Sequence, residues 1–177
     1  MIGAMQDWPL RVSSIIDHAA KYHPNRAVRG RSAEGPIVES NWKEIRERAL
    51  KCAQGLVKLG VKPGEAVGVM AWNTPRHMEV WYGVSGANCI LHTLNPRLFE
   101  EQLDYIINHA DDRVIMVDAD LVPVIEKLLP KLTGVKHYIV LTDRAHMPET
   151  KLPGAICYED WMAEQDGDFA WVEGGER

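Results

Sequence analysis

An α/β fold with a largely parallel sheet and helices on both faces is predicted by three features of the sequence. Short runs such as residues 66–71 and 113–117 are apolar without polar alternation, as strands buried on both faces are. Segments of helical spacing separate these runs, and strand–helix–strand units pair in parallel through right-handed crossovers. Apolar residues make up 46% and charged residues 25% of the 177-residue chain, a balance that supports one buried core and excludes disorder.

Leu10, Val12, Ile15, Ile16 and Ala19 form a helical stripe that Pro24 ends. Residues 27–29 and 36–39 flank the turn-rich stretch 30–35 and predict a small N-terminal hairpin. Asn41 is placed to cap the next helix, with Glu44 reaching back as in a capping box. Trp42, Ile45, Ala49, Cys52, Ala53 and Leu56 then recur on one face, and Gly60 ends the helix. After Pro63 and Gly64 the alternation begins with strand 66–71, followed by a helix that Thr74 caps and Pro75 opens. Strand 88–93 comes next, then a helix with Phe99, Leu103, Ile106 and Ile107 on one face. Strand 113–117, helix 121–129 and strand 136–141 complete the series. Residues 147–154 read as a loop and 158–162 as one or two helical turns. The polar tail from Asp166 shows no partner in the pattern.

Composition and motifs exclude several functions. A net charge of −5 without a basic block gives nucleic acid no electrostatic footing. No apolar run is long enough to span a bilayer, and the first residues lack the basic and apolar regions of a secretory signal. Cys52, Cys89 and Cys157 lie among apolar neighbours without metal-type spacing, and read as buried thiols of a cytoplasmic protein. No Gly-x-Gly-x-x-Gly follows a strand and no Walker sequence occurs, so no glycine-rich phosphate cradle is encoded. The same absence disfavours a dinucleotide-dependent reductase. His77-Met-Glu79 lacks the downstream Pro-Cys-x-x-Cys of the zinc deaminases and reads as a solvated helix start. Asp111, Asp112, Asp118 and Asp120 read as cap and turn residues rather than metal ligands.

One loop could carry chemistry. His92-Thr-Leu-Asn-Pro-Arg97 follows a strand predicted to be buried, at the carboxyl end where open α/β sheets place ligands. The competing reading has Thr93 and Asn95 satisfying turn backbone and Arg97 in solvent.

Five segments, in order, resemble the AMP-forming ligases that include fatty-acyl-CoA synthetases, coumarate-CoA ligases and luciferases. Asn41-Trp-Lys-Glu-Ile-Arg46 is similar to the family's Thr-Tyr-x-Glu-Leu helix start, with Asn41 in place of the threonine. Leu59-Gly-Val-Lys-Pro-Gly-Glu-Ala-Val-Gly-Val69 resembles Leu-Gly-Val-x-x-Gly-Asp-x-Val-x-Val, and Asn73-Thr-Pro75 resembles the Asn-x-Pro element after it. Gly86-Ala-Asn-Cys-Ile-Leu-His-Thr-Leu-Asn-Pro-Arg97 is similar to the next signature, and Glu101-Gln-Leu-Asp-Tyr-Ile-Ile107 continues in step. The wording lies nearest the medium- and long-chain fatty-acid–CoA ligases and the methylthiopropionate–CoA ligases.

The resemblance implies that residues 1–165 form the N-terminal subdomain of the acyl-CoA synthetase fold, and that 166–177 are a polar tail leading toward an ATP-binding segment. It implies a reaction in which a carboxylate attacks the α-phosphate of Mg-ATP and CoA then displaces AMP. The family's Ser/Thr/Gly-rich phosphate loop and its adenylation lysine have no counterpart before Arg177. The chain alone is therefore expected to be inactive, with no catalytic residue and no tight hold on ATP, Mg2+ or CoA. His92, Thr93 and Arg97 are implied as lining of the CoA channel. Expected partners are a fatty or other medium-size carboxylic acid, CoA, the rest of the polypeptide and a second copy of the chain. The alternative is a stand-alone binding or assembly module with an inherited ligase-type fold.

Overall fold

A computed structural model describes Ala4 and residues 9–174; the remaining positions of the expected subdomain and tail lie outside the described residues. The chain runs α1 (Val12–Tyr22), β1 (Ala27–Arg31), β2 (Ile37–Asn41), α2 (Trp42–Lys58), β3 (Ala66–Met70), α3 (Pro75–Gly86) and β4 (Ile90–Thr93). It continues through α4 (Glu100–Ala110), β5 (Val114–Val117), α5 (Val122–Leu128), β6 (His137–Val140), β7 (Ile156–Cys157) and α6 (Tyr158–Ala163). β1 and β2 form the expected antiparallel hairpin. The other strands form one five-stranded parallel sheet in the order β4-β3-β5-β6-β7.

Period-two alternation divides the core. Val67, Val69, Val114, Met116 and Ile139 face Leu56 of α2, Val80 and Val84 of α3, and Trp161 of α6. Met70, Ile115, Val117 and Val140 face Leu103 and Ile107 of α4 and Ile125 and Leu128 of α5. The two faces are thus covered by helices, as the apolar strands require.

Local chemistry sets the helix ends. The Asn41 side chain accepts from the Glu44 N–H at 3.0 Å. Glu44 does not close the capping box: its carboxylate accepts from Ser40 Oγ at 3.0 Å, because the Asn41 residue already sits in the β1–β2 register. Thr74 caps α3 through the His77 N–H, with Pro75 in the first turn.

Three expectations are corrected. The stripe on α1 is mostly exposed, with Leu10 82% and Ile15 60% accessible; Ser13 and Ile16 are the residues turned into α2 and α3. β4 is an edge strand with Ile90 in solvent, since β5 returns to the other side of β3. Residues 147–154 are a loop as expected, and β7 follows them at residues to which the pattern assigned nothing, two being too short for any periodic signal. The tail does find partners. Trp171 lies over Gly86, where a Cβ would meet its ring at 2.2 Å, and its Nε1 donates to Asp17 at 3.1 Å. The Val172 N–H bonds the Gly86 carbonyl at 2.8 Å.

Candidate functional site

The chain reverses direction across the sheet between β3 and β5, because β4 lies on one side of β3 and β5 on the other. That switch point opens a crevice at the carboxyl ends of the strands. The hairpin covers it, and a cavity of about 230 Å³ lies beneath, lined by Ser32, Arg48, Thr74, Arg76, Asp118 and Glu159 among others.

Charged and polar groups from five segments, all at least partly buried, meet here. Arg48 of α2 donates through Nε to Glu79 at 2.8 Å and through Nη2 to Glu159 at 2.9 Å. Arg76 of α3 reaches Glu159 at 2.8 Å and Glu34 of the hairpin loop at 2.6 Å. Thr142, just past β6, donates to the same Glu34 oxygen at 2.8 Å, and the Tyr158 hydroxyl donates to Glu79 at 2.9 Å. Burial pushes the Glu79 carboxyl up despite Arg48, and the Tyr158 hydroxyl well up. Burial opposes the charge on both arginines too, but their carboxylate partners outweigh it and hold both guanidiniums charged.

Asp118 stands at the end of β5, fully enclosed, and accepts from the Trp72 N–H at 2.7 Å while Asp120 accepts from the Trp72 indole at 2.9 Å. Burial pushes the Asp118 carboxyl up to about 7, with the Asp120 and Glu34 charges adding to it. Among the crevice residues, Glu34, Glu79, Asp118 and Glu159 outnumber Arg48 and Arg76, and each arginine is spent on carboxylates. Neither arginine is free of a carboxylate to meet an anionic phosphate, and the majority of acidic groups favours a cation.

The residues singled out in the sequence are elsewhere. His92 and Thr93 lie within β4, and adjacent strand positions point to opposite faces of the sheet. His92 turns toward the α4 and α5 face, where its Nδ1 lies 2.8 Å from Asp112 Oδ2. Gly68 is opposite His92 in the register, and a Cβ there would stand 2.7 Å from that carboxylate, so the glycine leaves the passage Asp112 uses. Burial pushes the Asp112 carboxyl up to about 6 against the pull of His92. Thr93 is exposed, and the Asn95 side chain accepts from the Arg97 N–H at 3.0 Å in a turn. The Arg97 side chain is exposed and makes no ion pair among the described residues.

Sequence reasoning missed Arg48, Arg76 and Glu159, and read Glu79 as solvated when it is 3% exposed. Asp118 does occupy the cap position of the 3-10 turn Ala119–Leu121, but its buried side chain accepts from Trp72 instead of capping, and the buried Asp112 side chain meets His92. Their only sequence signal is an acid at each end of an apolar strand.

A parallel sheet covered by helices, with a hairpin over the crevice at its carboxyl edge, defines an α/β subdomain. The chain belongs to the family of AMP-binding enzymes, whose pattern it matches over residues 16–168. It is 42% identical over 171 residues to the 3-methylmercaptopropionyl-CoA ligase of Ruegeria lacuscaerulensis, covering 97% of this chain and 32% of that protein. It is 39% identical to the medium-chain-fatty-acid–CoA ligase of Ectopseudomonas oleovorans, covering 98% of this chain and 32% of that one. The crystal structure of an anthranilate CoA ligase in complex with anthranoyl-AMP superposes with a TM-score of 0.81 at 20% identity, over 97% of this chain and 32% of that chain. The chain spans about a third of the length of these relatives and corresponds to their N-terminal part.

Proposed function

We propose that the chain is the N-terminal subdomain of an acid–CoA ligase that forms an acyl-adenylate from ATP and transfers the acyl group to CoA. The observation that carries this reading is the 42% identity to a named CoA ligase across nearly the whole chain. ATP with Mg2+, CoA and a medium-size or fatty carboxylic acid are then the ligands of the complete enzyme. The crevice residues do not fit a magnesium-bound triphosphate, since both arginines there are held by carboxylates. The crevice therefore supplies no free arginine for a triphosphate, and the chain alone is expected not to catalyse adenylation.

CoA is the ligand that the β4 end suits better. Arg97 offers an exposed cation for a phosphate and Thr93 an exposed hydroxyl, both at the carboxyl end of an edge strand. His92 faces the other side of that strand and acts on the channel only through the loop it anchors. A soluble cytoplasmic setting is inferred from the three free cysteines; no helix of the described residues is long and apolar enough to cross a membrane. Ile37, Ile90, Phe99 and Tyr105 are exposed and supply contacts for the rest of the polypeptide or, in its place, a second copy.

Reading the coding sequence past the codon for Arg177 is the test. A frame continuing into a Ser/Thr/Gly-rich loop with Pro-Lys-Gly supports the ligase assignment, and carboxylate-dependent AMP release should then appear in the longer protein alone. A stop codon at that point would overturn it in favour of a binding module.

A further inference from the structure

Beside the crevice, three metal-type ligands from two distant segments converge. An oxygen of Glu34, an oxygen of Asp143 and a ring nitrogen of His146 all lie within 4.8 Å of one another. Glu34 belongs to the loop joining β1 and β2, whereas Asp143 and His146 flank the short 3-10 turn Arg144–His146 beyond β6.

Proximity alone would not mark a site, but Glu34 adds a second observation. Its side chain is only 5% exposed, and its Oε1 takes both Arg76 and Thr142. Its Oε2 is buried with no hydrogen-bond partner among the described residues. A buried carboxylate oxygen without a partner keeps its full desolvation cost, which a bound cation would remove. Asp143 Oδ1 lies 2.7 Å from His146 Nδ1. Around them, Asp118, Glu79 and Glu159 leave the crevice with more carboxylates than Arg48 and Arg76 neutralise.

We propose that Glu34, Asp143 and His146 form a binding site for a zinc-type divalent cation that clips the hairpin loop to the carboxyl end of β6. Two carboxylates and one imidazole suit zinc, with solvent completing a tetrahedral set, whereas magnesium favours oxygen ligands alone. The proposal does not depend on the ligase reading.

Calorimetric titration of the 177-residue chain with zinc chloride, in the presence of excess Mg2+, is the test. One equivalent should bind, and His146→Ala and Glu34→Gln should each weaken it by at least about tenfold. His146 is 55% exposed in its side chain, so His146→Ala should keep the metal-free melting temperature and decides the case even if Glu34→Gln folds poorly. Zinc should also raise the melting temperature of the unmodified chain and leave that of His146→Ala unchanged. No binding, or zinc affinity that survives His146→Ala, overturns the proposal.

Discussion

The crevice under the hairpin and the β4 edge both enclose carboxylates, but they hold them by different means. In the crevice, Arg48, Arg76, Glu34, Glu79, Glu159 and Tyr158 share partners, so each charge is fixed by at least one group from another segment. At the β4 edge a single imidazole meets a single carboxylate through a gap left by Gly68. The difference teaches that a networked charge is expensive to remove, because its partners are stranded in place, whereas an isolated pair fails by displacement.

Removing a network member is the most damaging change expected. Glu79→Ala leaves Arg48 Nε and the buried Tyr158 hydroxyl without their acceptor. We expect a loss of about 3–5 kcal/mol in urea unfolding. A loss below about 1 kcal/mol would show that Glu159 and water take over, and the contrast between the two regions would vanish.

Gly68→Ala probes the other region. The added methyl would push Asp112 away from His92, at a cost of about 1–3 kcal/mol by unfolding. The His92 ring resonances should lose their carboxylate-bonded signature in the NMR spectrum. Unchanged His92 resonances would mean that the sheet shifts instead of the pair.

Asp118 sharpens the comparison through pH. Its folded-state pKa is raised to about 7 from the ordinary 3.8, so the folded chain binds this proton more readily than the unfolded one. Its contribution to stability is present in full below the unfolded value and is lost as pH rises through about 7. Glu34 and Asp143, held low, act in the opposite sense as pH falls. Asp118→Asn keeps an acceptor for the Trp72 N–H without a charge to bury, so it should stabilise the chain by about 1–2 kcal/mol at pH 8. The gain should shrink toward pH 4. A pH-independent effect would contradict the burial argument.

Thr93→Ala and Arg97→Ala should have the smallest effect on folding, within about 0.5 kcal/mol, since both are exposed. In the complete ligase they should instead raise the KM for CoA with little change in kcat, and a selective effect on the KM for ATP would count against their placement.

Much of the architecture was legible in local pattern. The hairpin, the Asn41 and Thr74 caps and the alternation of apolar strands with helices appear where spacing places them, because backbone geometry is read over a few residues. Burial was less legible. Ile90 lies in an apolar run yet faces solvent, since nothing local tells an edge strand from a central one. The docking of Trp171 depended on Gly86 and Asp17, whose positions beside it come only from packing α1 against α3.

By itself, then, the sequence determined the fold class, the order of its elements and, through the motifs around Gly64, Asn73 and Asn95, the family. Tertiary structure alone decided which charges are buried. Glu79, Arg48 and Glu159 occupy helix positions that would be ordinary solvated ones, and Glu79 becomes buried and Arg48 and Glu159 partly so only because α2, α3 and α6 bring their partners within hydrogen-bonding reach. A charge is buried when distant groups replace its water, and that replacement is a property of the folded chain rather than of any segment.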